Sequence, residues 1–366
     1  MKKIYYFLLI ALTVIVLAFI AEKFFYSNNV PASSSASMEK IVLPGSLSEQ
    51  LGQNFVIGID GKILDDKTKK ILEKIKPAGI VLYYRNFENP DQLKKLNYEL
   101  QSFALKTTNH PYFIMIDEEP GGATRLDLFN NVFAFGTPNW AQIEIDIKTI
   151  KELGINVDLA PIADFAFDEN TFIKDRIPAH NINNLINFNQ KFIALLNQNN
   201  ILATIKHFPG MGVFVDDPHK VVPYASPENS IIDQSIAIFK AGINDGADLV
   251  MTCHGVYDDI DPKNPATLSK KITINILRNQ INFKGLAITD DLADMPFTIG
   301  NNIDLSKATA QAIKAGHNLV MFSHRPENTE IVFDKLLNMV EQDEELKLLV
   351  AQNYIKVVSL KNNKLK

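Results

Sequence analysis

Cysteine is almost absent from this chain of 366 residues, which carries only Cys253, inside an apolar stretch. That excludes a disulfide framework, a paired-cysteine metal site and a lipid-bearing cysteine near the N-terminus. Long basic runs are missing too, and the net charge is −5, so no nucleic acid partner is expected. No glycine-rich phosphate turn follows the first strand-like run, where only Gly58 and Gly61 stand, and no His-x-His pair follows an early one. What the chain does have is apolar side chain, 46% against 22% charged, enough for a large core in one big domain or two smaller ones.

The longest apolar run lies at the start. Lys2 and Lys3 precede Ile4 to Ala21, which ends at Glu22-Lys23 and gives way to small polar residues from Ser27 to Ser37. Its length of 18 residues exceeds the roughly 7–15 of a signal-peptide core and approaches the roughly 20 that span a bilayer. Phe19 and Ala21 make no clean A-x-A cleavage site. The expectation is therefore a membrane anchor or uncleaved signal over 1–23, as a transmembrane helix, a linker over 24–40 and one folded domain over 41–366. The positive start predicts a single-pass inner-membrane protein with that domain periplasmic or extracytoplasmic.

Beyond Met38, short apolar runs alternate with helical spacing. Strands are expected at Phe55–Ile59, Gly79–Tyr83, Tyr112–Ile116, Asn156–Ala160, Ile201–Ile205, Leu249–Thr252, Leu286–Thr289 and Leu319–Phe322. Helical patterns between them include Asp65–Ile75, Pro90–Leu105, Ile182–Leu196, Ile231–Ile243, Ser269–Ile281 and Leu305–Ala315. Eight such units predict an α/β fold, a (β/α)8 TIM-type barrel forming one catalytic domain, with a doubly wound open sheet as the alternative.

A barrel gathers its active site after the C-terminal ends of the strands. Polar residues stand there: Arg85-Asn86, Asp117-Glu118-Glu119, Asp164, Lys206-His207, His254, Asp290-Asp291 and His324-Arg325. The densest stretch is Leu202–Lys220. Its apolar start ends in Lys206-His207, then Pro209, Gly210 and Gly212 force a loop that carries Asp217-Pro218-His219. A carboxylate two residues from a histidine can fix the imidazole tautomer and raise its basicity. A solvated surface pair is the plainer reading of that spacing alone. Asp290, closing strand seven, would project at the rim, where it could act as a nucleophile with His219 as proton donor.

The segments DEEPGGATR (117–125), KDR (174–176), KHFPGMG with DDPH downstream (206–219), ATLSKK (266–271) and FKGLAITDDLADM (283–295) resemble family-3 glycoside hydrolases that act as β-N-acetylhexosaminidases. The similarity runs from about Phe55 to Phe322 in family order. It implies a (β/α)8 barrel and retaining hydrolysis of terminal β-linked N-acetylglucosamine, without metal or cofactor. It further implies Asp290 as nucleophile, His219 with Asp217 as the acid/base dyad, and Asp117, Arg125, Arg176, Lys206 and His207 as sugar-binding residues. The implied substrate is a GlcNAc-containing glycan or muropeptide, met outside the cytoplasm, and a monomer is expected.

The chain departs from the family pattern at Met211, Pro120, Gly122 and Ile177, where histidine, glycine, arginine and serine are usual. Three alternatives stand beside the hydrolase: a non-catalytic glycan-binding barrel, a phosphorylase, and a metal-dependent hydrolase built on His207, His254 and Asp290. The tail from Glu341 reads as a closing helix whose Lys361, Lys364 and Lys366 form a solvated basic end.

Overall fold

The computed structural model describes residues 45–128, 133–134, 137–293, 304–324 and 326–365. The expected membrane helix over 1–23, the linker over 24–40 and Arg325 lie outside the described residues. Among the described residues no helix is long and apolar enough to cross a membrane. Residues Gly45–Lys366 form one compact unit.

Eight parallel strands close a barrel among the described residues: β1 (Phe55–Gly58), β2 (Gly79–Leu82), β3 (Phe113–Ile116), β4 (Val157–Asp158), β5 (Leu202–Phe208), β6 (Leu249–Thr252), β7 (Leu286–Asp291) and β8 (Leu319–Phe322). β1 pairs with β8 through Phe55↔Val320 and Ile57↔Phe322, which leaves no open edge. A short helix, α1 (Leu47–Gly52), precedes β1. The crossovers are α2 (Asp66–Ile75), α3 (Pro90–Thr108), α4 (Trp140–Glu152), α5 (Ile182–Gln198), α6 (Asn229–Asn244), α7 (Lys271–Gln280) and α8 (Leu305–Ala315); α9 (Pro326–Gln342) and α10 (Glu344–Lys364) follow β8.

Two-residue periodicity splits the core into two layers. Val56, Val81, Met115, Val157, Leu249, Met251, Ile288, Leu319 and Met321 pack together inside the barrel. Their strand neighbours Phe55, Ile57, Ile114, Ile205, Val320 and Phe322 face the helices. Each fully buried side chain of this size contributes roughly 1.5–3 kcal/mol. Helix starts are fixed by Asp65, Asn89, Asn139 and Asn181, whose side chains accept the N–H three residues on, each worth about 1 kcal/mol.

Several expectations shift. β4 is only Val157–Asp158, because Pro161 has no N–H to extend the ladder. α7 is wound as a π-helix rather than an α-helix, with Ile281 N–H donating to Ile276 C=O at 2.9 Å. Lys361 is the clearest correction. It is not part of a solvated basic end: it is fully buried, its Nζ donates to Gln53 Oε1 at 2.7 Å, and it stands 5.1 Å from the Phe113 ring centre. Phe113 opens β3, so this lysine closes the bottom of the barrel, and burial pulls its pKa well down. Lys364 pairs with Asp248 at 3.4 Å.

β5 and β7 matter most for function. β5 runs on through Lys206 and His207, and its pairing with β6 shifts register between Ile205 and Phe208. β7 runs through Asp290 and Asp291, with a register shift against β8 between Ile288 and Asp291. A regular strand would turn successive side chains to opposite faces, whereas a local irregularity can re-aim one of them. Both dipeptides thereby bring two neighbouring polar side chains to the mouth.

Candidate active site

One cavity of about 350 Å³ opens at the C-terminal ends of the strands. Asp117, Arg125, Arg176, Lys206, His207, His219 and Asp290 all line it, so seven of the eight residues singled out from sequence meet there. The eighth, Asp217, reaches it through His219. Its size is near the lower bound of small-molecule sites and suits a single sugar ring. A larger cavity of about 750 Å³, lined by Trp140, Asp175, Ile177 and Phe188, contains neither Asp290 nor His219, so volume alone does not select the site.

An ionic cluster forms one wall. Lys206 Nζ lies 2.6 Å from both Asp117 Oδ1 and Glu119 Oε1. Arg125 Nη2 donates to Asp117 Oδ2 at 3.1 Å, and Arg176 grips Glu119 through Nε at 3.0 Å and Nη2 at 2.6 Å. Burial opposes the charge on Asp117, but Lys206 and Arg125 outweigh it and hold the carboxyl below its usual range. Glu119 is held well down in the same way, against burial, by Lys206 and Arg176. Lys206 is raised in return, the two carboxylates overcoming its burial.

The loop after β3 supports this wall from below. Glu118 Oε1 accepts the backbone N–H groups of Arg125 and Leu126, and its own N–H donates to Asp158 Oδ1 at 3.1 Å. Burial pushes Glu118 up to about 7 and, with Glu118 beside it, pushes Asp158 well above the ordinary range. Gly122 closes the turn. A Cβ there would sit 2.2 Å from Glu119 Oε2, so arginine at this position would require Glu119 to move from Arg176.

His207 is positioned by Asp164, which is fully buried: Asp164 Oδ2 lies 2.8 Å from His207 Nδ1, and Oδ1 accepts the Met211 N–H at 2.6 Å. Met211 itself presents an apolar side chain to the cavity. His219 stands on the loop after β5 with 60% of its side chain exposed, Nδ1 2.7 Å from Asp217 Oδ1. Burial opposes charge on Asp217, and hydrogen bonds from His219 hold its carboxyl below the usual range.

The geometry separates Asp290 from Asp291. Asp291 is saturated: Oδ2 faces Ser323 Oγ and His324 Nδ1, both at 2.7 Å, and Oδ1 accepts the Ala293 N–H at 2.9 Å. Asp290 receives the Asp291 N–H on Oδ1 at 2.8 Å, with no other bond among the described residues. Burial disfavours its charge, yet His254, His207 and that N–H bring its pKa below the ordinary value. Burial also lowers His254, which is therefore neutral at pH 7, so its charge aids Asp290 only as the site acidifies.

Other strand-end residues serve the frame. Arg85 donates to Ile59 O and Ser323 O, Asn86 to Ile59 O and Gly61 O, and His254 lies between Thr267 Oγ1 and Asp291 O. Among the described residues no group of three or more His, Cys, Asp or Glu is arranged to hold a metal ion. Sequence reasoning did not single out Tyr83, Met251 and Met321, which also line the cavity; apolar strand ends carry no signal that separates them from core.

Residues 46–360 match the family profile described as the glycosyl hydrolase family 3 N terminal domain. The chain belongs to glycosyl hydrolase family 3. That makes it a glycoside hydrolase. A curated β-hexosaminidase of Xanthomonas campestris pv. campestris is 29% identical over 255 residues, covering 65% of this chain and 75% of that protein. One from Vibrio cholerae is 27% identical over 299 residues, covering 78% and 86%. Among solved structures, a family 3 β-N-acetylglucosaminidase from Paenibacillus sp. str. FPU-7 superposes with a TM-score of 0.79 at 27% identity, over 87% of this chain and 63% of that one. A β-N-acetylhexosaminidase from Beutenbergia cavernae, at 23% identity and TM-score 0.75, shares the fold over 87% of this chain and 98% of its own.

Proposed function

We propose that this family 3 member is a retaining exo-β-N-acetylglucosaminidase in which Asp290 is the nucleophile and His219, oriented by Asp217, is the general acid and base. The observation that carries this reading is that Asp290, with one oxygen uncommitted, shares a single-sugar cavity with His219 and with the Asp117–Arg125–Lys206 cluster. A ring whose hydroxyls bond the cluster can present its anomeric carbon to Asp290. The β-hexosaminidase relatives support the sugar class.

In the first half-reaction an Asp290 oxygen attacks the anomeric carbon as its bond to the leaving oxygen breaks. His219 Nε2–H protonates that oxygen, and Asp217 stabilises the imidazolium required. In the second, neutral His219 takes a proton from water, the water attacks the glycosyl–Asp290 ester, and the β-anomer leaves. The exposure of His219 suits a loop that closes over the scissile bond when sugar binds. If residues 1–23 anchor the chain, the barrel meets peptidoglycan fragments or other extracytoplasmic glycans.

The test is chromophore release from an aryl N-acetyl-β-glucosaminide by the full chain and by Asp290→Ala, with and without phosphate, the product anomer being read by NMR. Turnover that disappears in the variant and yields β-product first supports the proposal. A sugar 1-phosphate product assigns phosphorolysis instead. Sugar binding without any turnover in the wild type assigns a binding barrel and overturns it.

A further inference from the structure

Three aspartate–histidine pairs border the cavity, and all are joined in the same sense. Asp164 lies 2.8 Å from His207 Nδ1, Asp217 2.7 Å from His219 Nδ1, and Asp291 2.7 Å from His324 Nδ1. The proposed mechanism uses the Asp217–His219 pair, the family resemblance gives His207 to sugar binding, and His324 is left without a task. Its ring lines the cavity just after β8, 4.9 Å from the Tyr83 ring, with its side chain 41% exposed.

Asp291 determines what His324 offers. The carboxylate accepts from Ser323 Oγ and from the backbone N–H groups of Ala293 and His324, and it has no hydrogen of its own to give. In the neutral ring the hydrogen therefore sits on Nδ1, pointing at Asp291, and Nε2 carries a lone pair. No described residue bonds that Nε2.

Place in the barrel determines what the lone pair meets. Asp290 addresses the anomeric carbon, while the cluster's Lys206 stands on β5, its Arg176 follows β4, and its Arg125 follows β3 and reaches the Tyr83 ring at 4.9 Å. His324 is tied to the residue next to Asp290, so it faces one of the two neighbours of the anomeric carbon. One neighbour is the ring oxygen, an acceptor that would repel a second lone pair. The other carries the C2 substituent, whose amide N–H can only donate.

We propose that His324 is a substrate-contacting specificity residue whose Nε2 accepts a hydrogen bond from the C2 amide N–H of the bound sugar. This rests on the hexosaminidase reading above. Met321 and Tyr83, which line the cavity beside it, supply apolar surface for the acetyl methyl group.

The test is calorimetric titration of the full chain with N-acetylglucosamine and with glucose, for wild type, His324→Ala and His324→Gln. Wild type should prefer N-acetylglucosamine. His324→Ala should weaken that sugar by about tenfold, one hydrogen bond's worth, and glucose by less than about twofold. His324→Gln, which keeps an acceptor, should recover part of the loss. Equal weakening of both sugars, no weakening, or no preference in the wild type overturns the assignment. Binding is read without turnover, so an inactive wild type would refute the hydrolase mechanism while the ratio still decides the role of His324.

Discussion

Replacing Lys206 with methionine tests the ionic wall most severely. Lys206 is 2% exposed and bridges two carboxylates, Asp117 and Glu119, whose side chains are 12% and 1% exposed. Breaking a buried pair by removing one partner costs about 3–5 kcal/mol, mostly from the charge left behind. Here Arg125 still compensates Asp117 and Arg176 still compensates Glu119, so the lower end, about 3 kcal/mol, is expected at pH 7. The pH dependence has a definite sign. Both carboxyls are depressed in the fold, so their pairing stabilises above the ordinary values of 3.8 and 4.5 and is lost as pH falls through the depressed ones. Lys206 is raised, so its share is complete below its ordinary 10.5. The deficit of Lys206→Met should therefore be full between about pH 5 and 10 and shrink as pH falls below about 4. Denaturant unfolding can be followed through the single tryptophan, Trp140, which packs 5.1 Å from Phe188. A deficit below about 1 kcal/mol at pH 7, or one as large at about pH 3 as at pH 7, would show that the two carboxylates do not depend on Lys206 in this way.

Two further predictions concern the dyad and the floor. His219→Ala should slow cleavage of glycosides with poor leaving groups by roughly 10²–10⁴ but barely affect formation of the glycosyl-enzyme from a dinitrophenyl glycoside, which needs no proton. Equal losses on both substrates, measured by pre-steady-state kinetics, would remove His219 as the acid. Glu118, raised from 4.5 to about 7 in the fold, keeps a proton the unfolded chain has released, so its contribution to stability falls as pH rises between those values. Glu118→Gln should thus gain about 3 kcal/mol relative to wild type between about pH 4.5 and 8, and parallel stability curves would contradict this.

The barrel was legible because its strands are short apolar runs buried on both faces, and the expected β6 and β8 coincide with the observed ones. α4 was harder to see. Ile143, Ile145 and Ile147 alternate as in a strand, yet Ile143, Ile147 and Ile150 form the buried helical face while Ile145 is exposed. Lys361 shows the same limit at the other extreme: a lysine near a chain end reads as solvated unless Gln53, about 300 residues earlier, is known to meet it. At the site, motif spacing indicated which residues gather. It could not show that Asp291 is saturated and Asp290 open, because Ser323 and His324, which together with the nearby Ala293 N–H fill Asp291, come from the loop after β8. Nor could it show that Glu119, next to a substitution at Pro120, anchors both Arg176 and Lys206.

The proposed mechanism turns on a covalent bond between Asp290 and the sugar. The most direct measurement is incubation with a 5-fluoro glycosyl fluoride of N-acetylglucosamine, which slows release of the enzyme ester, followed by mass spectrometry of the digested protein. One glycosyl adduct is expected on the peptide containing Asp290, absent from Asp290→Ala. An adduct on a different carboxylate, or steady turnover of the natural glycoside with no adduct at all, would contradict that mechanism.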